Sequence, residues 1–146
     1  MTLGADAWDL DAGITDPTAF FAALPHLLPE ATHLEVQGSA IAPPVRALYR
    51  AHRDGGRPRW SRQGFALGRN DRFRCAASPG FFGELARLGA GRPHREVTDH
   101  LAVYADERLL LEWHDAFANA LLIAPDLPEE RVREMARRFG VGYGRA

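Results

Sequence analysis

Two apolar runs, Leu101–Tyr104 and Leu109–Trp113, flank the polar tetrapeptide Ala105-Asp106-Glu107-Arg108. Aliphatic and aromatic runs at this spacing read as the arms of an antiparallel hairpin. Ala120–Ala124 supplies a further strand with no helical segment between it and the hairpin. Strands that follow one another this closely pair antiparallel, since a parallel crossover takes a dozen residues or more. The expectation is a single α+β domain: a mainly antiparallel sheet with helices packed on one face.

The helices announce themselves by their start signals. Asp16-Pro17 joins a carboxylate able to accept an orphan N–H to a proline suited to the first turn. Phe20, Phe21 and Leu24 give this helix an apolar side, and Pro25 is expected to limit it. Pro43-Pro44 opens a second helix, in which Val45, Leu48, Tyr49 and His52 follow the i, i+3, i+4, i+7 rule up to Asp54-Gly55-Gly56. Ser78-Pro79 begins a third, lined by Phe81, Phe82, Leu85 and Leu88. Asp126-Leu127-Pro128 begins a fourth, with Val132, Met135, Ala136 and Phe139 as its stripe and Gly140 as its cap. Further strands are expected at Thr32–Val36, where Leu34 and Val36 alternate with His33 and Glu35, and at Phe73–Ala77. A short one is expected near Phe65–Leu67. Residues 1–15 read as a loosely attached acidic arm before a domain spanning 16–146, and the glycine-rich 140–144 reads as a frayed tail.

The chain has 146 residues, 46% of them hydrophobic and 25% charged, enough for one ordinary globular domain. Its single cysteine, Cys75, excludes an intramolecular disulfide framework and reads as a buried small residue. The first residues carry Asp6, Asp9 and Asp11 where a secretory leader would be apolar. The longest uncharged stretch in the first half, 17–29, contains three prolines and falls short of the roughly 20 apolar residues that span a bilayer. These features point to the cytoplasm and away from a membrane protein.

A net charge of −1 conceals a polarised chain. Residues 1–45 hold six acids and no arginine. Residues 46–74 hold nine of the eighteen arginines, and the chain has no lysine. Arg46, Arg50 and Arg53 share one side of the second helix, a spacing at which like charges repel unless something anionic offsets them. One reading is that the acidic third folds across the arginines. Another is a partner: a protein with acidic patches, or phosphate on a nucleic acid or nucleotide, held by Arg46, Arg50, Arg53, Arg57 and Arg59 with Trp60 for stacking. Whole-protein nucleic-acid binders usually have a strongly basic pI, and here it is about 6.6.

The hairpin also suggests chemistry. With Tyr104 opposite Leu109, Asp99 faces His114 and His100 faces Trp113. An Asp–His pair across strands orients an imidazole for acid–base work. Asp99, His114 and Asp115 are therefore the catalytic candidates. His100, His114 and Glu112 would be the ligands if a metal were bound, although no motif calls for one. A one-residue slip in the turn would pair His100 with Glu112 instead. No phosphate loop, dinucleotide fingerprint, zinc-helix motif or calcium loop is present, so no cofactor is implied.

Asp99-His100-Leu101-Ala102-Val103-Tyr104, followed by Leu110-Leu111-Glu112-Trp113-His114-Asp115-Ala116-Phe117, resembles a pattern of small uncharacterised bacterial proteins, and Glu35–Pro43 is similar to another part of it. The resemblance implies no activity; it draws interest to His114 and Asp115. The leading expectation is a non-enzymatic cytoplasmic binding protein acting through a protein partner, in an immunity, adaptor or regulatory role. The alternatives are a nucleic-acid or nucleotide-phosphate binder using residues 46–74, and a small enzyme or metal site at Asp99, His114 and Asp115.

Overall fold

The computed structural model describes residues 2–55 and 71–146. Arg57, Arg59 and Trp60, with the strand expected near 65–67, lie outside the described residues. Seven strands form one sheet: β1 (Trp8–Leu10), β2 (His33–Gly38), β3 (Asp71–Ala76), β4 (His100–Ala105), β5 (Arg108–Trp113), β6 (Leu121–Ile123) and β7 (Tyr143–Arg145). Their spatial order is β3-β2-β4-β5-β6-β1-β7, and neighbouring strands pair antiparallel. Four helices, α1 (Pro17–Leu27), α2 (Pro43–Ala51), α3 (Pro79–Gly89) and α4 (Glu129–Phe139), pack on the sheet to make an α+β domain. No helix among the described residues is long and apolar enough to cross a membrane.

The start signals act as their chemistry requires. The Asp16 carboxylate accepts from the Thr18 and Ala19 N–H groups at 3.0 and 3.3 Å, and Ser78 Oγ accepts from Phe81 N–H at 3.1 Å. Gly140 closes α4 in the left-handed conformation at φ 70°, where a side chain would be strained. Pro25 does not end α1, which continues to Leu27. A proline this close to the C-terminus disturbs only the last turn, and burial of Leu24 and Leu27 holds that turn in place.

One face of the sheet and the helices share the core. Leu34, Val36, Phe73, Leu101, Val103, Leu111 and Trp113 come from the strands; Phe20, Phe21, Val45, Tyr49, Phe81, Leu85 and Val132 come from the helices. Trp113 is the centrepiece. Its ring lies 5.0 Å from Phe20 and 4.6 Å from Phe117, and its Nε1 donates to the Asn119 carbonyl at 2.8 Å.

Both chain ends depart from expectation. The presumed arm is sheet: β1 lies between β6 and β7 with Ala7, Leu10 and Ile14 buried. The presumed frayed tail supplies β7, pairing Trp8 with Arg145 and Leu10 with Tyr143. Apolar residues three and four apart within a mostly polar segment were enough to anchor the first end. Arg145 anchors the second, its guanidinium 3.5 Å from the Trp8 ring centroid.

The hairpin register contains a correction with consequences for the site. Tyr104 faces Leu109 as expected, but a β-bulge at this point makes Val103 face Leu111, Ala102 face Glu112 and Leu101 face Trp113. The two-residue turn at Asp106-Glu107, with Asp106 at φ 53°, fixes one register. Core packing demands the other, because Leu101 and Val103 must share a face with Leu111 and Trp113. One extra residue, Leu110, reconciles the two.

Candidate functional site

Beyond the bulge His100 is carried next to His114, their ring centroids 6.0 Å apart, and Asp99 no longer faces His114. The expected Asp99–His114 pairing is therefore displaced. The Asp99 carboxylate instead accepts from the backbone N–H and the hydroxyl of Ser39 at 3.1 and 3.2 Å, tying the turn after β2 to the start of β4. His100 Nδ1 accepts the Asp115 backbone N–H at 2.9 Å, so the ring proton sits on Nε2. His114 Nε2 stands 3.7 Å from Glu112 Oε2. Asp115, at φ 49°, accepts from the Asn119 amide with its side chain and from the Ala118 and Asn119 N–H groups with its carbonyl. Phe117, at φ 69°, is pressed into the core. The Trp-His-Asp-Ala-Phe segment is thus a tightly folded corner from β5 towards β6. Its left-handed backbone at two non-glycine residues is held by the packing around it.

The metal alternative draws no support from the described residues. Among the described residues no three His, Cys, Asp or Glu side chains gather closely enough to hold an ion. His100, His114 and Glu112 are neighbours, but Nδ1 of His100 already accepts a backbone N–H. One oxygen of Glu112 likewise accepts from the Leu3 N–H at 2.8 Å.

The arginine-rich stretch divides according to where its side chains point. Arg74, 5% exposed, turns onto the sheet, where its Nε donates to Asp54 at 2.7 Å and its Nη1 stands 3.7 Å from Glu35. Arg46 donates to Asp71 at 2.9 Å. Arg50, Arg53 and Arg72 are exposed around β3, the outermost strand on this side among the described residues, and the Arg53 guanidinium lies over the Phe73 ring at 5.6 Å. Main-chain bonds from Asp54 to the Arg74 carbonyl and from Ala76 to the His52 carbonyl cover part of that edge.

The acidic third is engaged elsewhere. Asp16 caps α1, and Glu30 takes both terminal nitrogens of Arg131 at 2.6 Å, which holds its carboxyl below the usual range. Asp9 is pushed up, first by burial and then by the neighbouring Asp11. Of the six acids in residues 1–45, only Glu35 meets an arginine of the 46–74 stretch among the described residues.

What sequence reasoning missed is a second interior. On the face turned away from the helices, Glu35, Gln37, Arg74 and Glu112 are exposed by only 1, 2, 5 and 2%. Across the strands Arg74, Glu35, Ala102 and Glu112 form one row. Tyr104, Ala102 and Leu109 make a small apolar cluster there, with Leu3 packed on it. Burial, and then the charge of Glu35, push the Tyr104 hydroxyl well above its ordinary range. No local signal marks this interior: Glu35 and Gln37 alternate with Leu34 and Val36 just as polar residues do on a face in water. Cys75 conforms to expectation: it is buried, donates to the Tyr49 carbonyl at 3.4 Å, and its thiol is pushed up to about 12 by burial.

No protein-family model matches this chain, and no curated protein or solved structure matches it.

Proposed function

We propose that this chain is a small cytoplasmic binding protein that acts through a protein partner, presenting the arginines around β3 to an acidic surface. One observation carries the reading: Arg50, Arg53 and Arg72 are exposed together, while Asp16, Glu30 and Glu35 of the acidic first third are engaged with the α1 backbone, with Arg131 and with Arg74. Arginine at a sheet edge also discourages edge-to-edge association. Edge protection alone calls for no more than a charge or two, so the clustering favours recognition. A protein surface fits better than a nucleic acid because the rest of the molecule is acidic enough to give a pI of about 6.6. Charge complementarity of this kind speeds encounter and selects partners more than it adds raw affinity. An immunity, adaptor or regulatory role would use it in that way.

The test is affinity purification of the tagged chain from its own cells, with and without nuclease, beside Arg50→Glu/Arg53→Glu/Arg72→Glu. All three positions are exposed, so an unchanged circular dichroism spectrum should accompany the substitutions. A protein retained by the wild type, unaffected by nuclease and lost from the triple variant, is the expected result. Its measured affinity should fall by roughly tenfold or more, since each exposed charge pair contributes on the order of 1 kcal/mol. Retention that nuclease abolishes would transfer the arginines to the phosphate alternative. Identical recovery by wild type and variant would overturn the reading.

A further inference from the structure

A cleft of about 190 Å³ opens where the start of α1 meets the end of α4. Ile14, Ala19 and Phe139 give it apolar walls: Ile14 is 4% exposed, and the Phe139 ring lies 5.6 Å from Phe20 of the core. Asp16 and Arg138 line it with opposite charges. The fold itself holds the walls in place. Gly13 turns at φ 138° on one side and Gly140 at φ 70° on the other, and the Asp11 N–H donates to the Gly142 carbonyl at 3.0 Å, joining the two loops.

The two charges do not answer each other. Asp16 uses Oδ1 to accept from the Thr18 and Ala19 N–H groups, and its Oδ2 takes no hydrogen bond among the described residues. No ion pair joins either Asp16 or Arg138 to another described residue. Arg137 shares the last turn of α4 with Arg138, so the negative end of that helix has a second cation. Nor does the cleft offer a bare helix start to an anion. Pro17 has no N–H, and those of Thr18, Ala19 and Phe20 already bond to Asp16.

These groups select the ligand. A carboxylate or phosphate would meet Arg138 but stand beside the charge of Asp16. An ammonium would meet Asp16 but stand beside Arg138. An uncharged molecule would use the apolar walls and leave both charges to water. A molecule carrying both charges on an apolar body meets all three, its carboxylate in the guanidinium fork and its ammonium on Oδ2 of Asp16. The volume falls below the roughly 300 Å³ at which clefts for drug-sized ligands begin, so that molecule is small. We propose that this cleft binds a free α-amino acid with an aliphatic side chain, through Arg138, Asp16 and the wall of Ile14, Ala19 and Phe139. It shares no residue with the arginines around β3 and stands or falls separately from them.

The test is NMR on the 15N-labelled full-length protein, following the backbone amides of Ala19 and Gly140 during titration with L-leucine. Two comparisons each lack one charge: 4-methylpentanoate has no ammonium, and 3-methylbutylamine has no carboxylate. Two variants each remove one charge from the cleft, Asp16→Asn and Arg138→Gln. Asparagine caps a helix as well as aspartate does, and Arg138 is exposed, so both variants should fold. Leucine should shift the signals saturably, and its affinity should exceed that of either comparison at least fivefold. Each variant should bind leucine at least fivefold more weakly than the wild type. No saturable shift with leucine overturns the proposal. So does a difference below fivefold for either comparison or either variant, because one of the two charges would then play no part.

Discussion

The two faces of this sheet are both buried, and they are built on opposite rules. The face beneath the helices is closed by aliphatic and aromatic side chains, with Trp113 inside a ring of phenylalanines. The other buries a guanidinium, two carboxylates, a phenol above Ala102 and a carboxamide that has no hydrogen-bond partner among the described residues. Apolar packing is non-directional and gains stability from area alone. A buried polar set gains only when each donor and acceptor is met, and otherwise lowers stability. The first face therefore stabilises the fold by area, and the second does so only as far as its polar groups meet one another.

Substitutions on each face should separate these roles. Trp113→Ala should have the largest effect, about 3–5 kcal/mol lost in denaturant unfolding, because it empties the centre of the apolar face. Arg74→Met should cost somewhat less, roughly 3 kcal/mol, by removing the buried guanidinium that Asp54 and Glu35 both face. Adding Glu35→Gln should recover part of that loss; a double variant that is simply additive would show that the two residues are not coupled. Gln37→Leu should go the other way, gaining about 1 kcal/mol in denaturant unfolding by removing a buried carboxamide that has no hydrogen-bond partner among the described residues. A destabilised Gln37→Leu would blur the contrast between the faces.

The smallest effect lies outside the sheet, at Glu30 and Arg131. The hydrogen bonds from Arg131 lower the folded pKa of Glu30 below its unfolded value. The stabilisation is therefore complete above the ordinary carboxylate range and disappears as the pH falls through the depressed folded value. Glu30→Gln should lower stability by about 1 kcal/mol or less at neutral pH. The gap from wild type should close in acid, as followed by thermal unfolding across a pH series.

Much of the architecture was legible because local chemistry and global packing agree. The caps at Asp16, Ser78 and Gly140 and the stripe of α4 fall where the residues place them. The bulge was less legible because turn and core ask for different registers, and only counting both exposes the conflict; Leu109-Leu110-Leu111, three apolar residues where alternation allows two, is its trace. That single extra residue moved Asp99 away from His114. The polar interior was illegible for a different reason: a polar residue alternating with apolar ones reads the same whether its face meets water or protein. Glu35 and Gln37 give no local sign of burial. β1 and β7 were missed because three-residue strands carry too little periodicity to register.

Those two short strands have a consequence for how the molecule comes into being. Trp8–Leu10 must wait for Leu121–Ile123 on one side and for Tyr143–Arg145 on the other. On a ribosome the hairpin and β2 can meet while synthesis continues, but this end of the sheet closes only when residue 145 has emerged. Until then Trp8 and Leu10 are exposed apolar side chains without their strand partners, and pairings between residues so far apart in sequence form slowly. A strand made before both of its neighbours is therefore among the last to find its place.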